Sequence, residues 1–150
     1  MPSKATVSGV LMDATLAPIA AGKIIATLNG SDMFDGGAHI VTQKVETTTN
    51  ASGAWSMELI VNAEGDAAST TWTIEGYNQY VAKVFELKSL FIATPLPITL
   101  GDLDKTSAHN LKAARDLALS RLILVDDFAE YEALPAAQRR DNDIILVKGV

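Results

Sequence analysis

The chain of 150 residues contains no cysteine, which excludes disulfide bonds, thiolate metal sites and cysteine nucleophiles. Basic residues are also few: 12 lysines and arginines stand against 18 acidic residues, so the net charge is −6. The basic residues are scattered, whereas proteins that bind nucleic acid or anionic membranes concentrate cations on one surface. We therefore expect neither nucleic acid nor a membrane as a partner.

Long apolar runs and catalytic motifs are missing as well. No run approaches the roughly 18 apolar residues that identify a membrane-spanning helix, and the N-terminus lacks the apolar core of a secretory signal. These features predict a protein that folds in a cytosol. The G-x-S-x-G, P-loop, G-x-G-x-x-G and H-E-x-x-H patterns do not occur, and His39 and His109 lie far apart in the chain. We therefore expect no enzymatic activity, no cofactor and no metal site.

Short strands of alternating polarity dominate the first two thirds of the chain. In residues 54–61 every second side chain from Trp55 to Val61 is apolar, which predicts a half-buried β-strand after a turn at residues 50–53. A buried indole covers on the order of 200 Å², so this strand needs a second sheet above it. Both tryptophans are expected in the core rather than in a sugar-binding surface. The other predicted strands cover residues 4–12, 23–29, 38–49, 70–77, 80–87 and 98–103.

About seven strands separated by regular turns predict an antiparallel β-sandwich, which we assign to residues 1–103. The composition changes near residues 101–107, and a helix is predicted over residues 108–121 with its N-cap among residues 104–107. A strand at residues 122–125, a helix at 126–134 and a strand at 144–147 then form a small βαβ-like annex. The predicted fold is thus mainly β, with residues 104–150 as a second, smaller unit.

Candidate contact residues lie on three features. Met33 and Phe34 are apolar side chains in the glycine-rich loop 30–37, where they could bind a protein partner. Leu111 and Leu117 belong to an apolar stripe on the predicted helix, which could pack on the sandwich or on a copy of itself.

A calcium site in the same loop 30–37 is an alternative, because Asp32 and Asp35 flank the two apolar residues. Calcium takes six to eight oxygen ligands, which two aspartates do not supply, so an exposed turn is favoured. Tyr77 and Tyr80, beside a predicted two-residue turn at residues 78–79, are the alternative candidates for contact with a glycan.

Two regions resemble known proteins. V-S-G-V-L-M-D at residues 7–13, the segment 21–27, T-T-T-N-A-S-G-A-W-S-M-E-L at residues 47–59 and the segment 71–76 resemble the transthyretin-like, or carboxypeptidase-regulatory-like, β-sandwich. That module occurs in tail-associated fibre proteins of tailed bacteriophages. Residues 124–147 are similar to a segment of phage tail and fibre proteins, with an acidic helix, A-L-P, a basic pair, D-x-D and an apolar strand.

The resemblance implies a structural virion protein that is assembled in the host cytoplasm, contacts other virion proteins and forms a homo-oligomer, with a trimer as the default. A receptor-binding fibre would continue into a long shaft, so a fibre-anchoring, adaptor or decoration role is expected. The alternative from another class is a β-sandwich that binds carbohydrate or a cell surface through its loops.

Overall fold

A computed structural model describes residues 2–119, 122–125 and 144–147 of the chain. In the described part of the chain, strands and one 3-10 turn precede residue 100 and no α-helix lies among them, as the sequence predicts. The elements are β1 (Lys4–Val10), β2 (Lys23–Asn29), β3 (Asp32–Phe34), β4 (Ala38–Ile40), β5 (Lys44–Thr48), β6 (Ala54–Ile60), a 3-10 turn (Asn62–Glu64), β7 (Thr71–Tyr77), β8 (Lys83–Leu90), β9 (Ile98–Thr99), α1 (Leu100–Leu119), β10 (Leu122–Val125) and β11 (Ile144–Val147).

Two sheets form the sandwich. The first has the order β6-β1-β9 and the second has the order β5-β2-β7-β8. β1 is antiparallel to β6 and parallel to the short β9, which pairs only with Val7 and Ser8. All pairs of the second sheet are antiparallel. The prediction of a mainly β fold, with a sandwich ahead of a helix, is confirmed.

The core lies between the two sheets and includes both tryptophans. Trp72 is buried, and its Nε1 donates a hydrogen bond to the carbonyl oxygen of Ile60 at 3.3 Å. Trp55 is buried against Gly9 of the neighbouring strand, where an added Cβ would lie 2.8 Å from the indole ring. Glycine is therefore required at this position, because any side chain would displace the ring.

Helix α1 begins earlier than the sequence predicted. It starts at Leu100 rather than Ala108, and the predicted strand 98–103 is reduced to Ile98–Thr99. Thr99 takes the capping position, since its Oγ1 accepts a hydrogen bond from the N–H of Asp102 at 3.3 Å.

The early helix start follows from burial of Leu103 in the core, which anchors the first turns of α1 on the sandwich. The boundary drawn after residue 103 falls inside α1, and the division into two domains stays a prediction. Within the described residues, no helix is long and apolar enough to cross a membrane.

The chain reaches α1 through a buried segment that has no strand partner. Phe91 and Ile92 are almost completely buried. Their N–H groups bond to side chains instead of a β-ladder: Phe91 donates to Ser107 Oγ and Ile92 donates to Asn62 Oδ1, both at 2.9 Å. Buried backbone donors need such partners. Two polar side chains therefore hold the connection between the sandwich and the helix.

β10 and β11 form a separate two-stranded parallel sheet, with Leu122 opposite Ile144 and Val125 opposite Val147. Parallel strands need a crossover connection, as the predicted βαβ-like annex requires. The helix predicted over residues 126–134 lies outside the described residues.

Replacing Asn62 with alanine tests the role of the buried segment. Asn62→Ala removes the acceptor of the Ile92 N–H and the donor to Thr70 Oγ1. A buried N–H without a partner costs about 1–3 kcal/mol beyond the lost hydrogen bonds, so we expect the free energy of unfolding to fall by about 2–4 kcal/mol. Urea denaturation followed by tryptophan fluorescence measures this change.

Asn29→Ala is the matched control. Asn29 is exposed and its Nδ2 donates to Thr73 Oγ1 at 2.8 Å, so water can replace this bond. We expect a loss within about 0.5 kcal/mol. Equal losses for the two variants would contradict the role assigned to Asn62.

Candidate interaction surfaces

Three turns of the sandwich share one backbone plan. They begin at Asp13, Asn50 and Asn78, and in each the side-chain Oδ1 accepts hydrogen bonds from the N–H groups two and four residues later. The N–H three residues later bonds to the carbonyl oxygen of the first residue at 2.9–3.0 Å. The side-chain bonds measure 2.8 and 3.1 Å for Thr15 and Ala17, 3.0 and 3.0 Å for Ser52 and Ala54, and 2.9 and 3.0 Å for Tyr80 and Ala82.

The predicted two-residue hairpin turn at residues 78–79 was therefore wrong. The connection runs from Asn78 to Ala82, because the Asn78 side chain closes a longer loop. The sequence holds a signal for this plan that the prediction missed: an Asx residue stands four positions before an alanine in all three turns, as D-A-T-L-A, N-A-S-G-A and N-Q-Y-V-A.

The fourth residue of each turn adopts a left-handed backbone conformation. The φ angles are 66° at Leu16, 75° at Gly53 and 63° at Val81. Glycine adopts this conformation freely, whereas it costs other residues roughly 1–2 kcal/mol and is rarest for β-branched ones. Leu16 and Val81 nevertheless carry side chains that are 78% and 75% exposed. Their apolar groups add almost nothing to the core, so folding does not explain them.

All three turns lie at the same end of the sandwich. Leu11, just after β1, donates to the carbonyl oxygen of Gly53 at 2.8 Å. In the second sheet, Tyr77 at the end of β7 lies opposite both Lys23 and Lys83. Thr49 joins the two sheets here, because its Oγ1 accepts from the N–H of Gly22 at 2.8 Å and donates to the carbonyl oxygen of Ile19 at 2.6 Å.

This end concentrates the exposed apolar side chains of the molecule. Ten large apolar side chains are exposed in the described part of the chain, and six of them lie here. We call this surface the apolar end; it consists of Val10, Met12, Leu16, Tyr80, Val81 and Val84. Met33, Val41, Leu96 and Leu117 lie elsewhere.

An apolar groove of about 610 Å³ opens at the apolar end, between the end of β1, the start of β8 and the first turn of α1. We call it the end groove. Trp55 lines it, and in the described part of the chain the Trp55 Nε1 donates no hydrogen bond, while no fully buried side-chain nitrogen lacks a partner. The other lining residues include Gly9, Val10, Met12, Phe85, Leu87 and Leu100.

A second groove, of about 490 Å³, runs between the end of β8 and α1 and includes Leu111. Leu111 is partly buried there, whereas Leu117 is 71% exposed on another side of α1. The two leucines predicted as one contact stripe therefore face different surroundings. Arg115 connects the second half of α1 to the segment before β7, since its Nε donates to the carbonyl oxygen of Ala68 at 3.3 Å.

The glycine-rich loop 30–37 contains β3 and the turn that leads to its partner β4, and this corrects one predicted contact. Phe34 is completely buried, so it belongs to the interior and not to a partner surface. Met33 points the other way and is exposed. The sequence analysis treated Met33 and Phe34 as loop residues. It therefore missed that they belong to a strand, in which successive side chains face opposite sides.

Asp32 holds that hairpin in place. Its carboxylate accepts hydrogen bonds from the N–H groups of Met33 at 2.8 Å, Ala67 at 3.1 Å and Ser69 at 3.1 Å. Burial raises the pKa of Asp32, but these N–H groups together outweigh it and leave the pKa below its usual value. The carboxylate thus serves the loop. The described residues hold no group of three histidine or acidic side chains that could bind a metal.

The two tyrosines considered for glycan contact are placed differently. Tyr80 is 80% exposed at the apolar end. Tyr77 is partly buried, and its hydroxyl donates to Glu75 Oε2, which also lies 3.2 Å from Lys83 Nζ. The bond to Glu75 raises the pKa of Tyr77. One aromatic ring, and not a pair, is therefore presented at this turn, and carbohydrate binding stays a prediction.

Relieving the left-handed strain at Val81 should stabilise the protein. Val81→Gly removes the steric cost but adds chain entropy to the unfolded state, so we expect a net gain of about 0.5–1 kcal/mol. Gly53→Val is the converse control, because a Cβ at Gly53 would collide with the carbonyl oxygen of Leu11. Urea denaturation should show opposite signs for the two variants. A loss of stability in Val81→Gly would show that the valine contributes to folding.

Asp32→Asn should destabilise the protein by about 1–3 kcal/mol at neutral pH, because an amide cannot replace a carboxylate that accepts three N–H bonds. The folded-state pKa is lowered from 3.8. The contribution of Asp32 is therefore present above pH 3.8 and is lost as pH falls through the folded-state pKa. Denaturation curves should show the two proteins converging in strong acid. Asp66→Asn, at an exposed position of the same region, should change stability by less than about 0.5 kcal/mol.

Comparison of the sequence with models of protein families and with curated proteins finds no match. The resemblance to phage tail and fibre proteins therefore rests on the motifs in residues 7–76 and 124–147. The surfaces described above stand on the geometry alone.

Proposed function

We propose that this protein is a structural component of a tailed-phage virion that joins fibres or other particle components through protein–protein contacts. The observation that carries the proposal is the apolar end. Its six residues are 44–80% exposed, and groups of exposed apolar side chains mark interaction sites on protein surfaces. Such a surface is typical of a protein that functions in an assembly.

The backbone at the apolar end supports a role in binding. Leu16 and Val81 occupy positions where glycine would cost less, and both side chains are exposed. A residue that breaks a local rule without a gain for the fold is expected at functional sites. The apolar character of these turns is thus best explained by a partner that covers them.

The phage assignment is supported by the sequence motifs together with the β-sandwich. The V-S-G-V-L strand is β1, and the turn before W-S-M-E-L opens β6, so the motifs of the resemblance build the paired strands of the first sheet. An adaptor, fibre-anchoring or decoration protein needs a rigid scaffold with a contact surface, which the sandwich and its apolar end provide. The resemblance to fibre proteins implies a homo-oligomer, with a trimer as its default, whereas the contact inferred below is two-fold and would give a dimer instead.

The proposal predicts that the protein is part of the particle. In a phage that encodes it, the protein should sediment with intact virions in a density gradient, and antibodies against it should label one site in negative-stain electron microscopy. A phage lacking the gene and complemented by a Leu16→Gly, Val81→Gly variant should contain at least tenfold less of the protein per particle. Val41→Ser is the matched control, since Val41 is exposed and lies away from the apolar end.

A protein found only in the soluble fraction of the lysate, with virions unchanged in its absence, would contradict the proposal. Incorporation of the double variant at the normal level would contradict the role of the apolar end.

A further inference from the structure

We infer that the apolar end binds the apolar end of a second copy of this chain, with the Tyr80–Val81 turn of each copy inserted in the end groove of the other. The inference shares with the proposed function the premise that the apolar end is a contact surface. It does not depend on the phage assignment.

The apolar end carries a projection and a cavity side by side. Tyr80 and Val81 form an exposed turn whose shape is fixed by the Asn78 side chain. Three residues after Val81, Val84 already lines the end groove. At about 610 Å³ the groove has the size of sites that enclose small ligands, which is ample for one aromatic and one aliphatic side chain.

A projection and a cavity on the same surface favour a two-fold contact. In such an interface residue i of one copy contacts residue j of the other, and j contacts i in return, so each contact occurs twice. A standard interface takes about 800 Å² from each partner, and both the six exposed residues and the groove walls contribute to it.

The groove wall also carries an indole ring. Trp55 lines the groove, and its Nε1 donates to no described residue. Indole N–H groups normally find an acceptor when they are covered. A second copy brings the Tyr80 hydroxyl, which can accept a hydrogen bond, into the groove with its apolar turn.

Charge favours a second copy over a lipid surface. The lysines at this end are paired: Lys23 Nζ lies 3.5 Å from Glu46, and Lys83 Nζ lies 3.2 Å from Glu75. The Asp13 carboxylate is engaged by its own turn. Loops that enter membranes usually combine apolar side chains with lysine and arginine, which this end does not leave unpaired.

Side chains rather than strand addition make the contact. β8 is the edge of the second sheet, but its pairing with β7 is irregular at two places and its outer residues include Lys83 and Lys88. Irregular pairing and lysines protect edge strands from pairing with other chains. The groove beside β8 remains accessible to an inserted turn.

The absence of cysteine from the chain makes cross-linking specific. Two single variants, Val81→Cys on the turn and Met12→Cys at the groove, are mixed and treated with a short thiol-to-thiol cross-linker. We expect a cross-linked heterodimer at a yield at least fivefold above that of a mixture of Val81→Cys with Leu96→Cys. Leu96 is 67% exposed, more than Met12 at 47%, but lies outside the apolar end. Equal yields in the two mixtures would overturn the inference.

Sedimentation equilibrium provides the second measurement. Tyr80→Ser combined with Val81→Gly should weaken self-association at least tenfold, while Met33→Ser should leave it unchanged. A wild-type protein that stays monomeric, or that binds neutral phosphatidylcholine vesicles as a monomer, would overturn the inference, as would self-association that is lost in Leu117→Ser but kept in the turn variant.

The two proposals can fail separately. A monomer that is incorporated into virions would overturn the two-fold contact and leave the proposed function standing. A cross-linked dimer that is absent from virions would do the reverse.

Discussion

The connection between the sandwich and α1 depends on satisfying two buried backbone N–H groups. Phe91 and Ile92 lie in the core without a strand beside them, and Ser107 and Asn62 supply the acceptors. Ser107 belongs to α1, so one hydrogen bond fixes both the segment and the helix that covers it. Because an unsatisfied buried donor costs a large fraction of a domain's net stability, this segment cannot move independently of α1.

The end groove lies where most of β1 has no strand beside its second edge. β9 pairs with only two residues of β1, and α1 starts directly after it, so Gly9 and Val10 border a groove instead of another strand. Gly9 in turn makes room for the Trp55 ring. The groove thus follows from the same packing that buries Trp55. The exposed turns beside it have a separate cause. In each, the side chain of the first residue, Asp or Asn, accepts hydrogen bonds from the turn, and the fourth residue adopts a left-handed conformation.

The sequence supplied much of the fold, because period-two alternation is a local property. Residues 54–61 predicted β6 and the burial of Trp55, and the mainly β sandwich before a helix is what the structure shows. Non-local packing produced the errors. Nothing local shows that Leu103 reaches the core and extends α1 toward Leu100, or that Phe34 turns inward from its loop.

The candidate site was less accessible to sequence reasoning. Leu16 and Val81 are far apart in the chain, and the strand registers place their turns at the same end of the sandwich, so no window of sequence contains the apolar end. The sequence analysis named Tyr80 as a candidate contact residue, but for a glycan. Only the assembled sheets place it beside five exposed aliphatic or thioether side chains. Surfaces formed by turns from different strands are in general invisible to periodicity.

Net charge and local charge have different consequences here. At −6 the whole chain repels its copies over distances comparable with the Debye length of about 10 Å, which opposes indiscriminate association. At the apolar end, Lys23 is paired with Glu46 and Lys83 with Glu75, and the Asp13 carboxylate accepts hydrogen bonds within its own turn. The contact inferred above would confine association to the apolar end and so give it one orientation, as a component of an ordered particle requires.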